Sequence, residues 1–357
     1  MATSAKILPI FSGTSAAEEV ADALASEIRG KNVLVTGTSI NGIGFETARA
    51  IAKYAALVVI TGYNTERSVF LPFIRALQVL VLILPGPGPL GYAYRRRQSI
   101  RSSPAPKSAR SNLTSPSLAA VRKAAAEVIA YDEPLHVLIN NAAATETVSG
   151  LTIDNLEVQM AAGHIAPFLF TKLVYPKLQG SRTTDWTPRV VFVSSDQHAA
   201  GDGVPLDKET FARGTGAAAD DPALGLFARY GAVKSANVLT AREMAKRGAS
   251  KVRAYSLHPG SIVTNAFSKG FKGALEQLGI IDAEGKPGTV LPFKTLPQGA
   301  ATTVVAAFDP RIAAHSGEFL QDSVLAEEKV ASHSADMARA AKLWELTEDV
   351  LGERFEL

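Results

Sequence analysis

A nine-residue glycine turn, Thr36-Gly37-Thr38-Ser39-Ile40-Asn41-Gly42-Ile43-Gly44, leaves this chain few folds to choose from. It lies between the β-branched run NVLVTG and the helix-spaced stretch FETARAIAKYA. Gly37 permits a tight turn, Gly42 allows close approach of an anion, and Gly44 lets a helix pack on a strand. The helix start that follows offers free N–H groups and the positive end of a dipole. Strand, turn and helix in this order imply a seat for the pyrophosphate of a dinucleotide, with Ser39 and Ile43 beside it. A turn that only satisfies backbone geometry is the competing reading.

The rest of the chain repeats the alternation. LVVITG (57–62), LHVLIN, RVVFVSS (189–195) and VRAYSLHPG read as buried strands. Residues 15–29, 117–130, about 152–179 and about 226–247 have helical spacing, with Val20, Leu24 and Ile28 on one face of the first. Strands alternating with helices of ten or more residues imply an α/β fold, a doubly wound parallel sheet with helices on both faces. The pattern fails from 68 to 112, where a leucine/valine run, a Pro/Gly cluster and an Arg/Ser/Pro tail follow one another. The third strand and its helix belong here and stand to be disrupted. The organisation expected is one domain over 1–357, with a helical extension (1–30), an irregular basic insert (68–111) and a substrate lid (265–300).

Charge is concentrated in that insert. Residues 68–112 hold seven basic residues and no acid, so the overall +3 leaves a mildly acidic remainder. Such a stretch can touch phosphates or anionic lipid, but a Pro/Ser/Arg-rich composition reads first as disorder. The apolar run from Ala76 to Pro85 is about half the ~20 residues that a spanning helix needs, and prolines follow it, so no membrane span is expected. No nucleic-acid recognition motif occurs. The chain has no cysteine, which removes disulfides and thiolate metal sites, and a cytoplasmic location is the default. Histidines 136, 164, 198, 258, 315 and 333 lack metal-ligand spacing, so no metal site is expected.

Tyr230 and Lys234, in YGAVK, stand four residues apart and share a helix face. An ammonium near a phenol favours the phenolate and lowers its pKa, which would let Tyr230 exchange a proton with a substrate oxygen near neutral pH. Ser195 closes the strand VVFVSS at the carboxyl edge, where such sheets bind ligands, and its hydroxyl can hold the same oxygen. At the end of the second strand, Thr61-Gly62-Tyr63-Asn64-Thr65-Glu66-Arg67 has no acid at the strand end for a ribose 2′-hydroxyl. Tyr63 lies there, and Arg67 can reach a 2′-phosphate. This favours NADP, with NAD left open.

TGTSINGIG, INNAA (139–143), VSS (193–195), YGAVK (230–234) and HPGSIVT (258–264) occur in the order and spacing of the short-chain dehydrogenase/reductase family. The chain resembles that family over roughly 30–67 and 112–265. GFETARAIA, GHIAPFLFTKL and PQGAATTVVAA give it the look of the retinol-dehydrogenase-like branch found in fungi, which works on small lipophilic molecules in metabolism. The resemblance implies a Rossmann fold, hydride transfer at a nicotinamide, and dimers through two long helices. It implies Tyr230, Lys234 and Ser195 as catalytic residues, with Tyr230 and Lys234 also contacting cofactor and Lys234 reaching the nicotinamide ribose. Asn140 and Ala142 would line the cofactor, and Pro259, Gly260, Ile262 and Thr264 would flank the nicotinamide.

The chain departs from the family pattern in places. The helix asparagine that holds a relay water behind the lysine falls at Gly163, and His164 can replace it only if the helix is rotated. The acid that meets the adenine corresponds to Asn112, whose amide still accepts one hydrogen bond and donates another. The last glycine of the NNAG motif is Ala143, a small change. In the lid, Phe267, Phe271, Leu275, Leu278, Ile280 and Ile281 suit a hydrophobic alcohol or ketone, or simply pack the lid. Two functions follow: an NAD(P)-dependent oxidoreductase interconverting an alcohol and a ketone or aldehyde, or a cofactor-binding sensor or scaffold with impaired chemistry. The intact Tyr230, Lys234 and Ser195 favour the enzyme.

Overall fold

The computed structural model of the chain describes residues 8–62, 79–83, 93–94, 117–143, 150–214, 222–264 and 272–357. Strands β1 (Asn32–Val35), β2 (Leu57–Gly62), β3 (Val79–Ile83), β4 (Ala93–Tyr94), β5 (Val137–Asn140), β6 (Arg189–Val193) and β7 (Arg253–His258) are joined near the C-terminus by β10 (Phe319–Gln321) and β11 (Val324–Leu325). They form one sheet in the order β11-β10-β7-β6-β5-β1-β2-β3-β4. A separate parallel pair, β8 (Ser261–Ile262) and β9 (Phe293–Lys294), lies just after β7.

Every pairing from β10 across to β3 is parallel; β11 and β4 are antiparallel edges. The sheet is therefore mixed, where the sequence pattern implied parallel strands throughout. The order reverses at β1, which pairs with β2 on one side and β5 on the other, so a crevice opens above the carboxyl end of β1. The third strand is not lost. Val79–Ile83, inside the apolar run that resembled half a membrane span, pairs in register with β2 from Val58↔Val79 to Gly62↔Ile83. A short uniformly apolar run is ambiguous by periodicity alone, and its pairing with β2 resolves it as a strand. The expected disruption of the helix beside it and the basic tail lie outside the described residues.

The central strands alternate their side chains between two cores. Val33, Val35, Val58, Ile60, Val137 and Ile139 face one layer, packed against α1 (Ala17–Ala23), α2 (Ile43–Ala52) and the later helix Leu296–Phe308. Leu34, Val59, Leu138, Val190 and Phe192 face the other, packed against α3 (Leu118–Ile129) and the long helices that follow. Burial on both faces explains why these strands read as continuous apolar runs. The 15–29 segment breaks at Leu24, yet Val20, Leu24 and Ile28 are all fully buried, so the N-terminal helices are part of the core.

The expected helix over 152–179 starts later. Leu151 and Glu157 form an isolated bridge, and α4 begins at Val158, passes through a π turn at Ala161–Ile165, and runs on as Ala166–Gln179. Helix α5 (Pro222–Gly248) lies beside it. α6 is Leu296–Phe308, capped by Thr295 with Gln298 closing a capping box. α7 (Met337–Leu351) crosses the outer side of α4 and α5, with Trp344 and Phe355 stacked together against Phe168 of α4. As a result the two long helices are covered almost all round by their own chain. Only Pro176 and Gln179 in 166–179, and only Ala228, Lys246 and Arg247 in 225–248, are exposed. Among the described residues no helix is long and apolar enough to cross a membrane.

Candidate active site

The glycine turn sits over the crevice, fixed from both sides. Thr38 donates its N–H and its hydroxyl to the Thr61 carbonyl at the end of β2, each at 3.1 Å. On the β5 side, the Thr36 hydroxyl accepts the N–H of Asn141 and of Ala142, both at 3.1 Å. The Asn141 amide donates to the carbonyls of Thr36 and Gly37, both at 2.9 Å. Gly37 has φ +70, and a Cβ there would come within 2.6 Å of Ala142 Cα; one on Gly44 would meet the Gly37 carbonyl at 2.7 Å. Each glycine is therefore required by a neighbour already in place.

Gly42 is the N-cap of α2, and no side chain caps it. Because Gly42 carries no capping side chain, the amino end of α2 and its dipole are presented at the turn, as an anion site needs. Ser39, Ile43 and Gly44 lie in this cradle, and the arrangement fits a dinucleotide pyrophosphate. Asn141, to which the sequence analysis gave no role, is the residue that pins the turn. Asn140 differs from its expected role: its amide donates to the Thr171 hydroxyl of α4 at 3.0 Å and its side chain is buried there, so only its backbone is left to face a cofactor. Tyr63, Arg67 and Asn112 lie outside the described residues.

At the ends of β6 and β7 three expected residues come together. Ser194 donates to the Lys234 carbonyl at 2.7 Å, which locks α5 against the end of β6. Ser195 caps a short 3-10 turn, Asp196–Ala199, and accepts the Gln197 N–H at 3.2 Å. The Ser195 and Tyr230 hydroxyls are hydrogen-bonded to each other. The Lys234 ammonium lies 5.3 Å from the centre of the Tyr230 ring and donates to the Val193 carbonyl at 2.8 Å.

The electrostatics differ from the expectation. Burial pushes the Tyr230 phenol up to about 12, offset in part by the Ser195 hydrogen bond, and Lys234 does not reverse this. Burial also brings Lys234 down to about 8, since its charged form is held in a dry site. The buried ammonium is itself destabilised, which limits what the phenolate gains from it.

Pro259 and Gly260 follow β7, and Lys294 from β9 lies across Gly260, where a Cβ would meet Lys294 Cδ at 2.6 Å. Lys294 is ion-paired with Asp322. Ile262 is buried and packs where a Gly299 side chain would stand, so its side chain faces α6. Thr264 is the last described residue before the lid. His258 accepts the Asp196 N–H on Nδ1 at 3.0 Å, and burial lowers its pKa. Asp196 in turn accepts the Ser195 hydroxyl at 2.8 Å. Sequence reasoning gave neither residue a role in the site, although Asp196 adjoins VSS and His258 opens HPGSIVT.

Behind Lys234, Gly163 does more than lack a side chain. A Cβ there would fall well inside contact distance of Val233 Cγ1, so the YGAVK valine fills the space. His164 points away, into α7, and packs against Phe168 and Phe211. On the substrate side, Leu226, Leu275 and Ile281 form a small apolar cluster with Phe227, Tyr230, Ile280 and Phe293. Leu278 is exposed, and Phe267 and Phe271 lie outside the described residues.

No family model matches the chain. Curated relatives match nearly all of it. Short-chain dehydrogenase TIC 32 B, chloroplastic, of Brassica napus is 26% identical over 344 residues, covering 94% of this chain and 93% of the relative. Short-chain dehydrogenase/reductase prx1 of Penicillium rubens is 29% identical, covering 90% and 84%. Human retinol dehydrogenase 14 is 28% identical, covering 91% and 87%. Among solved structures, an uncharacterised protein of Mycobacterium paratuberculosis superposes with a TM-score of 0.60 at 23% identity, covering 93% of this chain and 98% of the other. A 3-oxoacyl (acyl-carrier-protein) reductase of Agrobacterium tumefaciens with NADP bound gives 0.52 at 19%, covering 84% and 97%. The sheet order, the glycine cradle and these relatives agree: over nearly its whole length the chain is similar to short-chain dehydrogenases/reductases, and it is an NAD(P)-dependent oxidoreductase.

Proposed function

We propose that this oxidoreductase interconverts a secondary alcohol and a ketone, or an alcohol and an aldehyde, on a small lipophilic molecule, with Tyr230, Ser195 and Lys234 as its catalytic residues. The observation that carries the reading is the hydrogen-bonded Tyr230 and Ser195 pair at the carboxyl edge of the sheet, with Lys234 one helical turn away. Ser195 holds the substrate oxygen, and Tyr230 gives it a proton in reduction or takes one in oxidation. A bound nicotinamide supplies or accepts the hydride. Lys234 holds the nicotinamide ribose and places positive charge under the tyrosine ring.

The turn from Gly37 to Gly44 takes the pyrophosphate, with Ser39, Gly42 and Ile43 contributing backbone. Tyr63 and Arg67 at the end of β2 take the adenosine ribose and favour the phosphate of NADP over NAD. Asn112 meets the adenine, Asn140 and Ala142 border the cofactor by their backbone, and Pro259, Gly260, Ile262 and Thr264 flank the nicotinamide. The NADP-bound relative supports the cofactor preference by analogy only. The apolar wall around Tyr230 supports a lipophilic substrate, of the kind handled in fungal secondary metabolism. A single catalytic domain over 1–357, with its lid over 265–300, acts in the cytoplasm. A homodimer built as the resemblance implies would need a surface other than α4 and α5, which this chain covers itself.

The test is fluorescence titration with NADPH and NADH, followed by turnover of a panel of lipophilic ketones. Tighter NADPH binding, with turnover that Tyr230→Phe removes, is the expected result. Cofactor binding with no turnover of any ketone or alcohol would favour the sensor or scaffold reading instead.

A further inference from the structure

A reductase tyrosine must exchange its proton with water once per turnover, and this chain has closed the usual way out. Behind Lys234, residue 163 has no side chain to hold a water, Val233 fills the space, and His164 is turned into α7. The Lys234 ammonium already donates to the Val193 carbonyl. On the opposite side of Tyr230 a hydrogen-bonded chain is in place. The tyrosine hydroxyl meets Ser195, and Ser195 Oγ donates to Asp196 Oδ1 at 2.8 Å. The Asp196 side chain is 51% exposed.

A serine hydroxyl has one proton to give. In the outward step that proton is directed to Asp196 and Ser195 Oγ accepts from the Tyr230 O–H; turned to Tyr230 instead, the same hydroxyl donates to the phenolate and offsets the rise in its pKa. Asp196 is held in place by its own N–H, which donates to His258 Nδ1. The groups that face it are Tyr230 from α5, His258 from β7 at 3.9 Å, and His198 from its own turn, with Lys294 and Asp322 acting on it through His258.

We propose that protons leave and reach the Tyr230 hydroxyl through Ser195 and Asp196, with Asp196 the relay residue that meets solvent. This rests on the catalytic reading above. In the outward step the Tyr230 O–H bond breaks as a new O–H bond forms on Ser195 Oγ, while the former Ser195 proton passes to Asp196. Tyrosinate and a neutral carboxyl result, and the carboxyl holds the proton only in transit to water. The phenolate then takes the proton of a substrate alcohol. Reduction runs the same chain inward. Asp196 touches no substrate: it positions the Ser195 hydroxyl and carries its proton.

Asp196→Asn tests this, because an amide oxygen still accepts from Ser195 but cannot carry a proton. With NADPH and the best ketone of the panel, kcat should fall about tenfold to a hundredfold with little change in KM. Added imidazole or formate should restore it in proportion to concentration, while the unaltered chain ignores both. A variant as fast as the unaltered chain overturns the relay, and so does a loss that no buffer restores. A proton inventory on the unaltered chain, in mixtures of light and heavy water, serves if the variant no longer binds NADPH. A curved plot, from two bridging protons moving together, is expected; a linear one overturns the proposal. No turnover by the unaltered chain would instead sink the catalytic reading itself.

Discussion

His164 Nε2 lies 2.9 Å from the Thr347 hydroxyl, and Thr347 gives its own proton to the Leu343 carbonyl, so the histidine is the donor. Burial drives its pKa down to about 3. In the unfolded chain the ring takes up a proton near pH 6.5, while in the folded chain it does not, so stability is full above 6.5 and drains as pH falls toward 3. The loss is on the order of 4 kcal/mol over that window. Urea midpoints of the unaltered chain should fall steeply between pH 6.5 and 4, and those of His164→Gln should fall less. Parallel slopes would mean that His164 does not control acid unfolding.

Returning the family asparagine should cost stability. Gly163→Asn drives a side chain into Val233, and overpacking of this kind costs about 1–3 kcal/mol. Val233→Ser in the same chain should recover most of it. Denaturation midpoints of the single and double variants decide the matter, and an unchanged single variant would show that the helix yields freely.

Two glycines with left-handed backbone separate conformational strain from cofactor recognition. Gly30 (φ +75) has nothing within 4 Å of an added Cβ, whereas at Gly37 (φ +70) the methyl meets the Ala142 backbone. Gly30→Ala should cost about 1 kcal/mol of stability through strain alone and leave NADPH affinity unchanged. Gly37→Ala should cost more and weaken NADPH binding by about tenfold or more, a difference of at least ~1.4 kcal/mol. Equal NADPH affinities in the two variants would remove the turn from the cofactor site.

Lys234 trades stability for chemistry. Its folded pKa, near 8, lies below the unfolded value of 10.5, so the unfolded chain binds more protons between those limits and the cost of burying the charge is relieved as pH rises through them. Lys234→Met should therefore be the more stable protein at pH 7 and lose about 3 kcal/mol of that advantage by pH 10.5, while turnover collapses. Thermal unfolding of both chains across this range gives the answer; a constant gap would place the ammonium in water.

Much of this was legible in the sequence because the signals were local. The glycine turn, the Tyr230 and Lys234 spacing and the apolar strands depend on neighbours in the chain, and each lies in the element read for it. What escaped depended on partners far away. Val79–Ile83 became a strand by pairing with β2, which no periodicity within 68–112 could announce. Asn141 gained its role by reaching back 105 residues to Thr36. The rise in the Tyr230 pKa followed from burial, which spacing on a helix cannot convey. Gly163 was noticed as an absence, but its meaning lay in Val233, a contact between two helices.

The last helix has a consequence for the order in which the molecule is made. α7 and Phe355 cover the outer side of α4 and α5, and they leave the ribosome after every strand of the sheet and after Ser195, Tyr230 and Lys234. The helix that carries Tyr230 therefore has a bare flank throughout synthesis and is clad only at the end. A chain stopped before residue 337 would thus lose catalysis from a distance, by unroofing a helix whose reactive side chains lie on another face.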